Sequence, residues 1–239
     1  MKQESLLGVF DSGVGGFSVY KKIKTVSDAN TIYYGDCVNA PYGNRDDAEI
    51  IRFIQDDILF LKEKGATHFV NACNSMSVVT TDNLLARCQV SPLYYTDMIR
   101  AFDLHAAFEG GERILIIATQ ATIRSGAYQD VLVKKRVKVS EYVYKDLAYA
   151  IESNSSAEEL RSIIENGILY AKEVGATHIL YGCTHYPLVH ELFAEAREKL
   201  EWQGEFIDPS MYVAKEVTRW GLKGERKFIP YTSKRNWGI

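Results

Sequence analysis

The sequence lacks both a long apolar run and an excess of charge of one sign. Its 239 residues include 28 Lys and Arg against 31 Asp and Glu, so nothing indicates the basic surface of a nucleic-acid-binding protein. The first apolar stretch, LLGVF, ends at Asp11 after five residues, which is too short for a signal-peptide core or a membrane span. We therefore expect a soluble, cytoplasmic protein with neither a nucleic-acid nor a membrane partner.

Cysteine is also scarce, and its spacing excludes two common uses. The four cysteines contain no C-x-x-C pair, so neither a zinc knuckle nor a thioredoxin-like motif is encoded, and we expect no metal site. In a reducing cytosol they are expected to be thiols. Cys37 and Cys88 are interpreted as small buried hydrophobes. The other two, Cys73 and Cys183, occur in a repeated context.

The phrase K-E-x-G-A-T-H occurs twice, at residues 62–68 and 172–178. Each copy is followed five residues later by a cysteine, Cys73 or Cys183. In both copies the pattern predicts a helix that ends at glycine and a short strand with the cysteine at its carboxyl end, where open α/β sheets bind ligands. A further helix is expected after each cysteine, with Asn74 and Ser75 as candidate caps and Pro187 in the first turn.

Short apolar runs alternate with segments of helical spacing along the whole chain, which predicts a mostly parallel α/β architecture. The repeat indicates two similar α/β lobes related by internal pseudo-symmetry, with the active site between them. The first lobe is predicted to comprise residues 1–95 plus 206–239 and to carry Asp11 and Cys73. The second is predicted to comprise residues 96–205 and to carry Thr119, Cys183 and His185. The last strand and helix, in EFIDPSMYVAKEVTRWG, are expected to return to the first lobe.

Two thiols that approach one ligand from opposite lobes offer a base on one side of a carbon and an acid on the other. That is the arrangement of a two-base racemase, which inverts an amino-acid α-carbon without needing pyridoxal phosphate or a metal. Asp11 and His185 are suitable groups to tune or orient the two thiols.

Five ordered segments resemble the signature segments of the glutamate racemases, a cofactor-independent family: GVFDSGVGGFSV, YYGDCVNAPYGNR, NACNS, IIATQATIRSGAY and LYGCTHYPLV. The resemblance implies a homodimer that converts glutamate and supplies D-glutamate for peptidoglycan synthesis. It implies that Cys73 and Cys183 are the catalytic acid/bases, assisted by Asp11 and His185. It also implies the residues that line the substrate pocket: Ser12, Pro41, Tyr42, Gly43, Asn74, Ser75, Thr119, Thr122 and Thr184.

The sequence departs from the family pattern at three places. Ser75 stands where the family has threonine, and Met76 follows it. The family's cysteine- and proline-bearing segment is replaced by YKDLAYAIES at residues 144–153, which leaves Glu152 as the equivalent of the family's glutamate. Aspartate or another amino acid therefore remains open as the substrate.

Two further readings remain open from the residues alone. One is a cysteine acyl-transfer or hydrolytic enzyme that uses Cys183 with His185, although such an enzyme would not require Cys73. The other is a non-catalytic ligand-binding relative of the racemases, which the altered pocket segments permit.

Overall fold

The strands form two separate parallel sheets, as the alternating pattern predicts. The computed structural model of the protein describes residues 5–233. The first sheet has the order β4-β3-β1-β2-β9, and the second has the order β6-β5-β7-β8. The strands of the first sheet are β1 (Leu6–Asp11), β2 (Asn30–Gly35), β3 (His68–Asn71), β4 (Tyr95–Asp97) and β9 (Phe228–Thr232). Those of the second are β5 (Arg113–Ala118), β6 (Lys138–Val143), β7 (His178–Gly182) and β8 (Glu205–Ile207).

Helices connect the parallel strands and cover both faces of each sheet. In the first half of the chain they are α1 (Gly16–Val26), α2 (Asp47–Glu63), α3 (Asn74–Ser77), α4 (Asp82–Arg87) and α5 (Met98–His105). In the second half they are α6 (Gln120–Ser125), α7 (Ala127–Lys134), α8 (Leu147–Glu152), α9 (Ala157–Glu173), α10 (His190–Lys199) and α11 (Ser210–Arg219). Short 3-10 turns occupy Tyr42–Asn44, Pro92–Tyr94 and Tyr186–Val189.

The internal pseudo-symmetry is visible in both topology and side chains. The order β4-β3-β1-β2 of the first sheet corresponds to β8-β7-β5-β6 of the second. Helices α2 and α9 both have 17 residues, and each is capped by a side chain, of Asp46 and Ser156 respectively. Because each helix buries a residue on every turn, both present one apolar stripe to their sheet, with Ile54 of α2 corresponding to Ile164 of α9.

Each sheet separates two apolar layers. Phe10 and Phe69 point to the side that packs against α2, whereas Val9 and Val70 point to the side shared with α1 and α11. The alternation follows from the two-residue period of a strand, and burial on both faces explains why the strands lack polar alternation. Buried side chains of this kind stabilise the fold by roughly 1.5–3 kcal/mol each.

One part of the expected lobe division is wrong. The strand EFID does not return to the first lobe, because Glu205–Ile207 pairs with β7 of the second sheet. The indole N–H of Trp202 donates to the carbonyl of Ala176, and the N–H of Glu205 donates to the carbonyl of Thr177, which holds β8 at that edge.

Helix α11 does pack against α1 of the first lobe, and it also contacts α5. Strand Tyr95–Asp97 pairs with β3, so the first sheet extends past residue 95. We therefore propose lobe boundaries after Asp97 and after Ile207. Residues 1–4 and 234–239, which the sequence assigns to the first lobe, lie outside the described residues.

Candidate active site

The two repeated cysteines lie at one cavity between the lobes. Cys73 follows β3 of the first sheet, and Cys183 follows β7 of the second. Both line a cavity of about 230 Å³, and each is only about 5% exposed. This volume is below the roughly 300–1,000 Å³ of pockets that hold drug-sized ligands, so the cavity suits a small molecule.

The cavity collects most of the residues that the sequence predicts for it. Glu152 and His185 line it together with Ser12, Pro41, Tyr42, Gly43, Asn74, Ser75, Thr119 and Thr184. Two predicted residues do not line it: Asp11 lies beneath the wall, fully buried, and Thr122 is buried beside Thr119. Met76 is also fully buried and outside the lining, so the change at this position does not reach the cavity surface.

Sequence reasoning missed five residues of the lining: Asn44, Lys145, Asp146, Ala148 and Tyr149. Four of them belong to the segment 144–153, which departs from the family pattern. Within α8, Ala148 and Tyr149 precede Glu152 by four and three residues, which is the spacing of one helix face. That spacing is a signal that could have placed Ala148 and Tyr149 on the cavity wall beside Glu152.

The Cys73 thiol occupies a buried, polar position. It donates a hydrogen bond to the hydroxyl of Ser12 at 3.4 Å, and its backbone N–H donates to Oδ1 of Asn71 at 3.1 Å. Burial raises the pKa of this thiol, and the nearby charge of Asp11 raises it further, while the hydrogen bond to Ser12 acts in the opposite direction. Cys73 therefore holds its proton at neutral pH.

The second thiol has an imidazole beside it. Nδ1 of His185 lies 3.6 Å from the sulfur of Cys183, and Nε2 of the same ring lies 3.2 Å from Oε2 of Glu152. Burial alone lowers the pKa of His185, but the hydrogen bonds to Cys183 and Glu152 and the charge of Asp11 raise it well above its usual value. The ring is therefore a group that can hold a proton next to Cys183.

Asp11 organises the loop that follows β1. Its Oδ2 accepts the N–H of Gly13 at 2.8 Å, and its Oδ1 accepts the hydroxyl of Thr184 from the other lobe at 3.4 Å. Burial raises the pKa of Asp11, whereas the charge of His185 lowers it. The loop passes so close to the second lobe that a Cβ on Gly15 would lie 2.6 Å from Nδ1 of His185. Glycine is required at this position because a side chain would clash with His185. The backbone conformation does not require it, since Gly15 has a φ of −56°.

Polar side chains from both lobes form a further part of the wall. The hydroxyls of Ser75 and Thr119 lie 3.2 Å apart across the lobes and share a hydrogen bond. Oδ1 of Asn74 accepts the phenolic hydroxyl of Tyr128 at 2.6 Å. Its amide nitrogen is buried and, among residues 5–233, has no hydrogen-bond partner. The hydrogen bond from Tyr128 thus fixes the orientation of the Asn74 amide group, and the N–H groups of that amide remain as donors for a ligand.

The helical segments that follow the two cysteines do not begin as the sequence predicts. Cys73 itself is the N-cap of α3, so the prediction that Asn74 and Ser75 cap a helix is wrong. The reason is that the helix starts one residue earlier, directly at the strand end. Pro187 does lie in the first turn after Cys183, which is a 3-10 turn rather than an α-helix.

No group of three or more His, Cys, Asp or Glu side chains within residues 5–233 is arranged to hold a metal ion. In the same part of the chain, no helix combines the length and the apolar character needed to cross a membrane.

The fold and the shared thiol-lined cavity define a racemase-like class of two-lobed α/β proteins. The family model described as Asp/Glu/Hydantoin racemase matches residues 7–216, and the chain belongs to this family. A curated relative, the glutamate racemase of Trichormus variabilis, is 31% identical over 225 residues, which is 91% of this chain and 73% of the relative. The chain is an amino-acid racemase, so the reading as an acyl-transfer or hydrolytic enzyme is wrong.

Solved structures of glutamate racemases share the fold. The enzyme of Campylobacter jejuni superposes with a TM-score of 0.81 at 27% identity, covering 96% of this chain and 92% of that one. The enzyme of Francisella tularensis, solved in complex with D-glutamate, gives a TM-score of 0.83 at 24% identity, covering 99% of this chain and 90% of that one. At this identity the second comparison supports the fold alone.

Proposed function

We propose that the protein interconverts L- and D-glutamate without a cofactor, by proton transfer between the substrate α-carbon and the two thiols of Cys73 and Cys183. The observation that carries the proposal is that both thiols, one from each lobe, line the same small cavity. The relatives named as glutamate racemases support glutamate as the substrate.

In the direction from L- to D-glutamate, the Cys183 sulfur acts as the base and takes the α-proton. Cys73 then donates its thiol proton to the opposite face of the α-carbon, so one S–H bond forms and another breaks. This assignment suits Cys73, because its buried thiol retains a proton at neutral pH. In the reverse direction the two thiols exchange these roles. His185, 3.6 Å from the Cys183 sulfur, exchanges a proton with it between turnovers.

The amide and hydroxyl groups of the wall bind the carboxylates and the ammonium of the substrate. The buried amide nitrogen of Asn74 is the donor best prepared for this task, because Tyr128 already fixes its orientation. A donor that needs no reorganisation also stabilises the charge that develops on the α-carboxylate when the proton leaves.

A racemisation assay by circular dichroism tests the proposal. Purified protein, treated with a chelator, should racemise D- and L-glutamate, and added pyridoxal phosphate or divalent metal should not be needed. A requirement for either addition would contradict the cofactor-independent mechanism. A markedly higher kcat/KM for aspartate would reassign the substrate, and no racemisation of any amino acid would favour a non-catalytic relative.

We further propose that the D-glutamate produced is used in peptidoglycan synthesis and that the enzyme is a cytoplasmic homodimer without nucleic-acid or membrane partners. The signature segments support this biological setting, since they resemble those of the bacterial glutamate racemases. Light scattering after size-exclusion chromatography tests the dimer: a mass of a single chain at assay concentrations would contradict it.

A further inference from the structure

A lysine lies at the mouth of the active-site cavity, in the segment that departs from the family pattern. Lys145 lines the cavity and is exposed to solvent, whereas the two cysteines that also line it are buried. Of the described residues that line the cavity, only Lys145 and His185 can carry a positive charge. Lys145 makes no salt bridge with another residue of the 5–233 range, so its ammonium is available to a ligand.

Acidic side chains that line the cavity would repel an acidic substrate unless the positive charge of Lys145 balances them. Asp146 and Glu152 also line the cavity, and Glu152 is engaged with His185. Asp146 directly precedes α8, is exposed, and makes no side-chain cap hydrogen bond to the helix. A dicarboxylic amino acid carries a net negative charge at neutral pH, and it would enter past Asp146 against repulsion unless Lys145 compensates.

We propose that Lys145 binds the side-chain carboxylate of the substrate and so selects dicarboxylic over neutral amino acids. The inference rests on the proposed racemase mechanism, which puts the α-carbon between the two buried thiols. The side chain of the substrate then extends towards the exposed end of the cavity, where Lys145 stands. A lysine is a compact charge on a flexible stem, and it can follow the carboxylate as the substrate enters.

Steady-state kinetics with matched variants test this role. Lys145→Met should raise the KM for D- and L-glutamate about fivefold and leave kcat within about twofold, the effect expected for an exposed ion pair. Lys145→Arg should keep KM near the wild-type value. Asp146→Asn should lower KM, because it removes the opposing charge. The control is Lys138→Met at the start of β6, an exposed lysine outside the cavity lining, which should change neither parameter.

Calorimetry with glutamate and glutamine tests whether Lys145 recognises charge. The two ligands have similar shapes, but glutamate has a side-chain carboxylate where glutamine has an amide. A purely structural effect of the substitution would weaken the binding of both. Wild-type protein should prefer glutamate, and Lys145→Met should lose that preference and the salt dependence of glutamate binding. An unchanged preference and KM in Lys145→Met, or a loss in kcat instead of KM, would overturn the inference. Failure of the proposed function looks different: wild-type protein would bind glutamate but not racemise it.

Discussion

Nε2 of His185 lies 3.2 Å from Oε2 of Glu152, while the other ring nitrogen faces the sulfur of Cys183. The imidazole therefore connects a carboxylate to a thiol, and the contact with Glu152 contributes to the raised pKa of His185. The pair stabilises the fold while the ring is protonated. That contribution is present below the usual pKa of histidine and is lost as the pH rises through the raised pKa.

Glu152→Gln should lower the pKa of His185, because an amide replaces the charge that favours the imidazolium. The alkaline limb of the kcat/KM profile for L-glutamate should then move to lower pH by about one unit. Thermal unfolding should show a larger destabilisation at pH 6 than at alkaline pH.

Glu158→Gln, on the exposed first turn of α9, serves as the control for this experiment and should leave the pH profile unchanged. An alkaline limb that does not move in Glu152→Gln would show that Glu152 does not act through His185.

Tyr128→Phe should raise the KM for glutamate several-fold, because it removes the 2.6 Å hydrogen bond that orients the amide of Asn74. It should also destabilise the protein by about 1–3 kcal/mol, since Oδ1 of Asn74 is left without that donor in a buried site. Steady-state kinetics and chemical denaturation measure the two effects.

Tyr144→Phe is a matched control, because the buried hydroxyl of Tyr144 donates to the carbonyl of Ile164 at 2.8 Å, away from the cavity lining. It should show a similar loss of stability with no change in KM. Equal KM values for the two variants would refute the positioning role of Tyr128.

Gly15→Ala should reduce kcat/KM on the order of 10²-fold, because the added methyl would displace His185 or Thr184 and misplaced groups are costly in catalysis. Gly126→Ala provides the contrast. Gly126 has a φ of 67° and open space around its Cβ position, so this change should cost stability of about 1–2 kcal/mol and leave kcat/KM unaffected. Wild-type kinetics in Gly15→Ala would contradict the close approach of the lobes.

Cys73→Ser and Cys183→Ser should each lose racemisation by roughly 10²–10⁴-fold, because a serine hydroxyl is too weak a base. An analogue with a leaving group on the β-carbon needs only removal of the α-proton, after which the leaving group departs with its bonding electrons. Cys73→Ser should still eliminate from the L form, and Cys183→Ser from the D form. Equal loss with both enantiomers in both folded variants would refute the assignment of each thiol to one face.

Much of the fold could be predicted from the sequence because the repeat constrains it. Helices that end at Gly65 and Gly175, the strands that follow and the cysteines at their ends all depend on local patterns. The position of β8 could not be predicted in this way. Its three residues carry no signal for a partner strand. The contacts of Trp202 and Glu205 with Ala176 and Thr177, which are distant in sequence, decide its position.

The same distinction between local patterns and distant contacts applies to the residues of the site. Cysteines and hydroxyl groups in recognisable segments line the cavity. Lys145 and Tyr149 line it too, but they could not be predicted, because a departure from a family pattern says nothing about orientation. Thr122 is the opposite case: it is predicted to line the cavity but does not. It lies within a recognised segment, but its side chain is buried beside Thr119 instead of facing the cavity.

The two halves of the molecule are similar but not equal around their cysteines. Two residues beyond Cys73 stands Ser75, whereas two residues beyond Cys183 stands His185. Enantiomers have equal free energies in water, so the overall equilibrium constant is one whatever the protein does. Under the proposed two-thiol mechanism, an imidazole beside only one thiol makes the two proton transfers unequal. The kcat and KM values of the two directions can then differ, although the final mixture stays the same.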